Sequence, residues 1–475
     1  MQTWLDAYAK RALTDSPAVV ETGAVLTSRE LTELAVDANF WLDAIGAPAG
    51  RPVAALLSTT REAFALTLAG ASSGRAMAPL GVRSTVAEVN KALVPLAPAV
   101  LVAEPGAADL AHAAVVGTEI KVHIHPTFEL GRGTNLNLTM PGDAPAAILH
   151  TSGTSGQPKP VPYPQHRLLL RMIVNSQTLG LGEGSVYATA SPFHHIAGLG
   201  MLFVALGAGA ALCPLTKFTV DNWDEVIGRG TTHALLVPSM IEQLMDENRL
   251  VRGKLQCLQY GASKIDPDTL GRLLNALPGL DLVQIYGQTE GSPISVLTTS
   301  DHAAAGDTRL LSSAGRAAPG VTLVINEPDA DGIGEVWAKA DHLMKPDADG
   351  WLRTGDVGTL DPDGYLTIVG RKGDMIIRGG ENVYPSEVEE VIRKHPEVAD
   401  VAVIGVADKR LGQTIAAYVV PRDIAAPPDT QELHRFTRDV LAGFKVPQHW
   451  EFIAELPRNA AGKVLKRMLG PNGDK

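Results

Sequence analysis

The sequence predicts an α/β protein with a large N-terminal domain of layered α/β subdomains, a small β subdomain and a smaller α+β C-terminal domain. Short apolar runs alternate with helical patterns as far as about residue 300, which is typical of domains with parallel strands. From about residue 310, short strands separated by Gly, Asp and Pro turns indicate the β subdomain. The chain has 475 residues, more than one core accommodates, so two or more domains are expected.

The first 145 residues contain the first alternation of helices and strands. Apolar residues recur at helical spacing over residues 28–42, where Thr27 and Glu30 form a capping box at the start of the predicted helix. Residues 61–70 form a second predicted helix, and short apolar runs predict strands at 53–57 and 100–103.

The middle of the chain continues the same alternation. After a predicted strand at 146–149, helices are expected at 167–178, 221–229 and 240–248, and strands at 186–190, 234–237, 255–260 and 280–285. In open α/β sheets, ligands bind where strands end, so polar residues at these strand ends are site candidates.

The last part of the chain begins with the predicted β subdomain, with strands at 321–325, 334–338 and 366–370. Ser386 and Glu389 match a capping box before a helix whose apolar face is formed by Val388, Val391 and Ile392. Strands at 398–406 and 414–420 and a helix at 431–442 complete a unit of about a hundred residues, enough for its own core. We therefore predict an N-terminal domain over 1–372 and a C-terminal domain over 373–475.

The composition excludes several classes of protein. Hydrophobic residues make up 45% and charged residues 20%, as in globular enzymes. The net charge of −11 argues against a general binder of nucleic acids or anionic membranes. No apolar run reaches the ~20 residues that span a bilayer, and the N-terminus has no secretory apolar segment. A cytoplasmic protein without stable membrane insertion is expected, with Cys213 and Cys257 as buried thiols.

A loop rich in hydroxyl groups and glycine, residues 151–159, follows the predicted strand at 146–149. Its glycines allow backbone N–H groups to point into one concavity, its hydroxyls add donors, and Lys159 adds a positive charge, which together suit a polyphosphate. It is not a Walker A loop, because Lys159 lacks the preceding Gly and the following Ser or Thr. By composition alone, an ordinary surface turn remains an equal alternative.

The paired histidines His194 and His195 invite a metal interpretation. Adjacent residues of a strand or helix point to different faces, and no Cys or carboxylate lies at ligand spacing. A polar gate in an apolar pocket is the better interpretation.

Five motifs in order resemble the signature of the adenylate-forming enzymes, which include acyl- and aryl-CoA synthetases, luciferases and peptide-synthetase adenylation domains. They are the 151–159 loop, the Tyr-Gly-Gln-Thr-Glu run at 286–290, Thr-Gly-Asp at 354–356, Gly-Arg-Lys-Gly-Asp at 370–374, and Gly-Lys at 462–463. The resemblance runs from about residue 25 to 468. The Gly-Gly-Glu-Asn-Val-Tyr-Pro run at 379–385 is most similar to the CoA-ligase branch.

The resemblance implies an ATP-dependent acid–thiol ligase with a mobile C-terminal domain. A carboxylate attacks the α-phosphorus of ATP to give an acyl-adenylate and pyrophosphate; the small domain then rotates, and the thiol of CoA attacks the mixed anhydride. The implied cofactors are ATP, Mg²⁺ and CoA. The small-molecule carboxylate is aryl or aliphatic, because the implied acyl pocket is mostly small and apolar. The uncharged segment 196–201 disfavours a plain amino acid.

The same resemblance implies roles for individual residues. Three are catalytic: Lys463, Glu290 and the gate residue His195. The phosphate-binding residues are Thr151, Ser152, Gly153, Thr154, Ser155, Gly156 and Lys159. The residues at the adenine and ribose are Gly261, Ala262, Tyr286, Gly287, Thr289, Asp356 and Arg371. The acyl pocket comprises His194, His195, Gly198, Val237, Gln284 and Gly291. Glu290 and Thr154 hold the metal, Gly373 is the hinge, and the CoA region comprises Gly379, Gly380 and Glu381.

Two residues depart from the family pattern, and two alternative functions stay open. Pro160 removes a backbone donor and stiffens the loop, and Gly373 replaces the more usual Asp or Lys of the hinge. The acceptor is CoA or, as the first alternative, a carrier-protein phosphopantetheine such as that of an acyl carrier protein. The second alternative is a non-catalytic nucleotide-binding protein. The sequence leaves the oligomeric state open, a homodimer being one option.

Overall fold

The computed structural model describes residues 1–152, 158–303, 308–344, 346–379, 381–458 and 464–470. These residues divide into two compact units, the first formed by Met1–Leu323 with Ala338–Leu352 and the second by Val324–Trp337 with Arg353–Lys475. In the described ranges, no helix is long and apolar enough to cross a membrane.

The first unit contains alternating helices and strands. Its helices are α1 (Trp4–Ala9), α2 (Ser28–Ala44), α3 (Arg61–Ser73), α4 (Val86–Leu96), α5 (Ala108–Ala114), α6 (Gln165–Leu179), α7 (Leu199–Ala208), α8 (Val220–Gly228), α9 (Pro238–Asp246), α10 (Pro267–Ala276), α11 (Thr299–Ala303) and α12 (Thr308–Leu311). Its strands are β1 (Pro17–Glu21), β2 (Ala24–Thr27), β3 (Val53–Leu56), β4 (Met77–Leu80), β5 (Val100–Ala103), β6 (Lys121–Ile124), β7 (Pro145–Ser152), β8 (Pro158–Pro164), β9 (Val186–Thr189), β10 (Ala211–Cys213), β11 (His233–Leu236), β12 (Cys257–Gly261), β13 (Asp281–Gln288), β14 (Gly291–Leu297) and β15 (Arg316–Ala317).

Two large sheets organise the first unit. One has the order β15-β14-β13-β12-β11-β9-β10-β1-β2, and the other the order β6-β5-β3-β4-β7-β8. Neighbouring strands from β1 to β13 in the first sheet run parallel, and antiparallel pairs with β2 and β14 flank them. The second sheet is parallel except for the β7–β8 pair. The predicted α/β class is confirmed.

The second unit is rich in antiparallel strands. Its elements are β16 (Thr322–Asn326), β17 (Gly334–Lys339), β18 (Leu352–Leu360), β19 (Leu366–Arg371), β20 (Ile376–Arg378), β21 (Glu381–Val383), α13 (Pro385–Arg393), β22 (Val398–Asp408), β23 (Gly412–Pro421), α14 (Thr430–Val440) and β24 (His449–Phe452). The first three of these strands also contain residues of the first unit. Strands β16-β17-β18-β19 form the expected small β subdomain, and β21-β20-β23-β22 with β24 form a second sheet. Residues from α13, β22, β23 and α14 share one apolar core, as expected for the α+β part.

The N-terminal helix cap at Thr27 is confirmed, but the predicted cap at Ser386 is wrong. Thr27 and Glu30 cap α2 reciprocally. Helix α13 instead begins at Pro385 after Tyr384, whose side chain makes no capping bond. Pro is favoured at the first helical position, so the helix starts two residues earlier than a cap at Ser386 implies, and Ser386 lies inside it. The predicted apolar face of Val388, Val391 and Ile392 is buried.

Strand β8 is an element that the sequence did not predict. Four of its seven residues are proline, at 158, 160, 162 and 164, which usually argues against a strand. Strand β8 is at the edge of its sheet and has a neighbouring strand on one side only, so every second backbone N–H has no strand to donate to. The prolines, which have no N–H, occupy these alternate positions. Pro160 therefore lies in a regular antiparallel pairing with His150.

Both cysteines are free and buried, as predicted. Cys213 ends β10 and Cys257 begins β12, and both strands lie inside the nine-stranded sheet. Burial raises the pKa of the Cys257 thiol to about 12, so this group stays protonated at neutral pH.

Candidate active site

The strands on either side of the hydroxyl-rich loop pair with each other. Thr151 of β7 lies opposite Lys159 of β8, and the Lys159 side chain is exposed. The predicted phosphate-binding residues Gly153, Thr154, Ser155 and Gly156 lie outside the described residues, as does the side chain of Ser152. The β7–β8 hairpin therefore brings two of the predicted phosphate-binding side chains, on Thr151 and Lys159, to the same end of the six-stranded sheet.

The predicted adenine wall lies at the end of β12. Gly261 is the last residue of that strand and pairs with Ile285 of β13. A Cβ atom at position 261 would lie 2.4 Å from the carbonyl oxygen of Ile285, so only glycine fits there. Ala262 follows with φ of 68°, a left-handed conformation that costs a non-glycine residue energy. The chain thus turns sharply at the position where the resemblance implies a close approach to a base.

Glu290 lies at the tip of a β-hairpin. Strand β13 continues past the expected end at residue 285 as far as Gln288, which pairs with Gly291 of β14, so Thr289 and Glu290 form the two-residue turn. The register shifts between Tyr286 and Gln288, placing Gly287 at a bulge. The backbone of Glu290 accepts a 2.8 Å hydrogen bond from the Met344 N–H. This turn holds the Glu290 carboxylate at the end of a rigid hairpin.

A buried tyrosine connects the two hairpins. The Tyr163 hydroxyl of β8 donates to the carbonyl oxygen of Thr289. Tyr163 is 1% exposed, and burial raises its pKa, so it remains a donor at neutral pH. The strand that carries Lys159 is therefore bonded to the turn that carries Glu290.

A second buried side chain supports this arrangement from α6. Arg171 is 2% exposed, and its guanidinium donates to the carbonyl oxygens of Ser292 at 3.0 Å and Gly200 at 2.6 Å. Ser292 follows the Glu290 turn, and Gly200 lies in the first turn of α7. Arg171 thus joins β14 to the helix that follows the histidine pair.

We expect Arg171→Met to lower the free energy of unfolding by about 2–4 kcal/mol, because two buried carbonyl groups lose their charged donor. Urea denaturation followed by circular dichroism measures the change. Arg272→Met is the matched control, since Arg272 is 53% exposed and its ion pair with Asp246 contributes little. Equal denaturation midpoints for the two variants would contradict the supporting role of Arg171.

The histidine pair lies in a turn between β9 and α7, not in a strand or helix. The expectation that the two rings point to different faces is therefore wrong: their centroids are 4.1 Å apart, at an interplanar angle of 42°. Gly198 caps α7, and a Cβ there would lie 2.2 Å from the carbonyl oxygen of Pro192. The turn needs glycine at 198 to close, and its closure holds both imidazoles side by side.

Burial keeps these imidazoles neutral. It lowers the pKa of His194 to about 3 and that of His195 to about 4. It also lowers the pKa of His150, the residue of β7 before Thr151, to about 4. Neutral imidazole has one N–H donor and one acceptor nitrogen, so each ring can pair with an uncharged polar group at pH 7.

We expect the protein to lose stability as the pH falls below about 6.5. The pKa of these three histidines is lower in the folded chain than the unfolded value of about 6.5, so the unfolded chain binds more protons and is favoured in acid. Each histidine contributes a loss of about 2 kcal/mol between pH 7 and pH 5. Urea denaturation at both pH values measures it, and His150→Phe should reduce the difference; an unchanged difference in that variant would contradict the assignment.

The remaining predicted acyl-pocket residues lie in or next to strands of the nine-stranded sheet in the first unit. Val237 is the residue between β11 and α9. The Gln284 amide accepts a 3.3 Å hydrogen bond from the Tyr260 hydroxyl and is 8% exposed. Gly291 begins β14, and a Cβ there would lie 2.6 Å from a methyl carbon of Leu343, so a larger residue would displace that side chain.

The second unit holds the predicted ribose-binding pair. Asp356 and Arg371 lie opposite each other in β18 and β19, and the Arg371 Nε donates to the Asp356 Oδ1 at 2.8 Å. The Asp356 side chain is 8% exposed and that of Arg371 is 42% exposed. The Asp356 N–H donates to the Thr354 hydroxyl, which donates to the Val336 carbonyl oxygen. These bonds give the carboxylate a defined orientation.

The predicted hinge and CoA region also lie in the second unit. Gly373 is in the turn between β19 and β20, and Gly379 has φ of 61° in the turn between β20 and β21. Glu381 begins β21, and its side chain is exposed. Gly380 and Lys463 lie outside the described residues.

Sequence reasoning missed three residues that shape the site: His150, Tyr163 and Arg171. Their residue types are common in cores and edge strands, so only the fold reveals their contacts. A partial signal existed for Arg171, since an arginine on the apolar face of a helix needs buried acceptors.

Comparison with known proteins identifies the family. The model of the AMP-binding enzyme family matches residues 5–346, and that of the AMP-binding enzyme C-terminal domain matches residues 387–463. The chain belongs to the AMP-binding enzyme family, and the predicted resemblance to adenylate-forming enzymes is confirmed.

Particular members resemble the chain over most of its length. It is 31% identical to the fatty acid–[acyl-carrier-protein] ligase ScoC of Streptomyces coeruleorubidus, over 96% of this chain and 93% of that protein. It is 33% identical to the 2-succinylbenzoate–CoA ligase of Bacillus licheniformis, over 69% and 70% of the two chains. The structure of the amide bond synthetase McbA from Marinactinospora thermotolerans matches with a TM-score of 0.83 and 30% identity, over 97% and 98%. That of the Bacillus subtilis o-succinylbenzoate CoA synthetase with its acyl-adenylate intermediate matches with a TM-score of 0.85 and 26% identity, over 100% and 99%.

Proposed function

We propose that this chain activates an aryl or aliphatic carboxylic acid with ATP and transfers the acyl group to the thiol of CoA. In the first step a carboxylate oxygen bonds to the α-phosphorus while the bond from that phosphorus to the bridging oxygen breaks, releasing pyrophosphate. In the second step the thiol sulfur bonds to the carbonyl carbon and AMP leaves. Family membership supports this reaction type, since the relatives named above include CoA ligases and a structure with an acyl-adenylate.

The bond between Tyr163 and Thr289 carries the proposal. Phosphoryl transfer depends on positioning and charge neutralisation more than on covalent help from the protein. The hydrogen bond links the strand that carries Lys159 to the turn that carries Glu290, and so limits how far this cation and this carboxylate can move relative to each other. This is the arrangement that a polyphosphate with a bound metal ion requires.

We assign the roles of the site residues as the resemblance implies them. Residues 151–156 and Lys159 bind the β- and γ-phosphates, the residues at Gly261 and Tyr286 bind adenine, and Asp356 accepts bonds from the ribose hydroxyls. Lys463 lies between the carboxylate and the α-phosphate, where its charge offsets their repulsion. His195 acts as the gate to the acyl pocket.

The Glu290 carboxylate fits a magnesium ion. Magnesium prefers a carboxylate together with phosphate oxygens and water, and Glu290 presents such a group on a rigid turn, where no described residue forms a hydrogen bond or ion pair with it. Thr154 is the proposed second contact. When bound, the ion neutralises charge on the phosphate oxygens.

We further propose that residues 373–475 act as a domain that rotates about Gly373 between the two steps. Glycine absorbs large changes of φ and ψ, which suits a hinge. The two compact units are defined by their internal contacts, whereas a hinge is defined by where the chain rotates. The domain boundary between residues 372 and 373 therefore stays a prediction. The cytoplasmic location and the homodimer also stay predictions.

A carrier-protein phosphopantetheine is the alternative acceptor. The similarity to ScoC over 96% of this chain favours it, because that relative is named as an acyl-carrier-protein ligase. Both acceptors present the same thiol-ended arm, so the first step would be unchanged.

ATP-dependent pyrophosphate release across aryl, short-, medium- and long-chain carboxylates tests the proposal, each acid with and without CoA. Multiple turnovers that need CoA and one class of acid support the CoA ligase. A single-turnover burst unaffected by CoA supports a carrier protein, and turnover restored by an amine would instead support amide formation. No release with any acid would contradict the proposal and support a non-catalytic protein.

A further inference from the structure

Three imidazoles lie around strand β4 of the first unit, and the proposed mechanism uses only one of them. His194 and His195 lie side by side in the turn before α7. A Cβ at Gly81, directly after β4, would lie 3.0 Å from Cε1 and 3.2 Å from Nε2 of His194, so the ring of His194 lies against the end of that strand. His150 ends the apolar part of β7, whose neighbour in the sheet is β4, and it interacts electrostatically with His194.

Several nitrogen atoms of this cluster are buried without a partner. Neither Nδ1 nor Nε2 of His150 has a hydrogen-bond partner among the described residues, and the same holds for Nε2 of His195. A buried polar atom without a partner is costly, and native proteins rarely leave one. Such atoms in a candidate ligand site are satisfied by the ligand or by water that the ligand displaces.

We infer that His150 and His194 select carboxylic acids whose acyl group carries an uncharged hydrogen-bonding substituent, a hydroxyl or carbonyl oxygen. The inference rests on the proposed ligase function, and it makes both histidines specificity-determining residues. A substrate hydroxyl can accept from an imidazole N–H and donate to a second ring, whereas a carbonyl oxygen accepts only.

The surroundings disfavour a plain acyl group and a second carboxylate. A plain alkyl or aryl group would leave both nitrogens of His150 and Nε2 of His195 unpaired. Unpaired buried polar atoms are the basis of strong discrimination in polar sites. A buried carboxylate needs a charged partner or several donors. Burial, with a smaller contribution from the neighbouring His195, Arg83 and His150, lowers the pKa of His194 to about 3, so its ring supplies no charge at pH 7. Arg83 itself is exposed.

Matched pairs of acids test this inference. Phenylacetate is compared with 4-hydroxyphenylacetate, octanoate with 3-hydroxyoctanoate and 3-oxooctanoate, and octanedioate serves as the dicarboxylate. We expect kcat/KM in pyrophosphate release to be at least about tenfold higher for a hydroxyl or carbonyl member than for its plain partner. His150→Phe and His194→Phe should lower that preference to less than about twofold, since phenylalanine keeps the ring but has no hydrogen-bonding atom.

Two further variants separate specificity from folding. His150→Gln keeps a donor and an acceptor and should retain part of the preference. His123→Phe is the matched control, because Nε2 of His123 is also buried without a partner among the described residues, but His123 lies on β6 at the opposite edge of the sheet from β8. It should leave the preference unchanged.

The outcomes distinguish this inference from the function on which it rests. Equal rates within every pair, a preference for the plain acids or octanedioate, or an unchanged preference in folded His150→Phe would overturn the inference and leave the ligase intact. Release with no acid at all would overturn the ligase function and the inference with it.

Discussion

Lys463→Ala is expected to lower the rate of acyl-adenylate formation by about 100- to 1,000-fold, because the variant loses a charge that stabilises the transition state. The attacking carboxylate and the α-phosphate are both negative, and a cation between them offsets their repulsion. In the second step the thiol attacks the uncharged carbonyl carbon of the mixed anhydride, so thioester formation from supplied acyl-adenylate should continue. Pyrophosphate release measures the first step, and chromatography of the thioester measures the second.

Lys409→Ala is the control for this variant. Lys409 is an exposed lysine in the turn between β22 and β23, so its removal should change neither step. An equal loss of both steps in Lys463→Ala would contradict the assigned role. It would place the lysine in general substrate binding or in the fold of the C-terminal part.

Asp356→Ala is expected to lower kcat/KM for ATP by about 100-fold, since a charged acceptor of hydrogen bonds from two ribose hydroxyls would be lost. Arg371 binds the carboxylate and the Thr354 hydroxyl binds the backbone N–H of Asp356, so little ordering is needed when the nucleotide binds. Asp356→Asn keeps one acceptor oxygen and should lose about tenfold. Initial rates at varied ATP concentration measure both variants.

The fold should tolerate the loss of Asp356. Its partner Arg371 is 42% exposed, so water solvates the guanidinium when the carboxylate is removed, and the effect on stability is small. Asp439→Ala, at an exposed position of α14, is the control. An unchanged dependence on ATP in folded Asp356→Ala would contradict the ribose-binding role.

Local patterns in the sequence were sufficient to predict about half of the described helices and strands. The helix at α2 was predicted from its apolar spacing and from the pair Thr27 and Glu30, which the structure confirms as a reciprocal cap. Buried strands such as β5 were predicted because a run of four apolar residues between turn signals is typical of a buried strand. These features depend on neighbours a few residues apart, which the sequence displays directly.

Edges and helix starts were less predictable. The prolines of β8 argue against a strand until the sheet order shows that β8 is an edge that needs no donors on one side. The pair Ser386 and Glu389 has the spacing of a cap, yet Ser386 donates to the Val369 carbonyl oxygen and Glu389 forms an ion pair with Lys466. Partners elsewhere in the chain outcompeted the local motif in both cases.

The sequence by itself determined the family and the order of the motifs, and it predicts the roles of Glu290, Asp356 and Lys463, because these depend on residue type and spacing. Only the tertiary structure decided that Thr289 and Glu290 form a hairpin turn bonded to Tyr163, and that β4 lies next to both the strand of His150 and the ring of His194. Tyr163 and Thr289 are separated by 126 positions along the chain. Contacts at such separations are set by how the two large sheets pack, and no local pattern in the sequence encodes that packing.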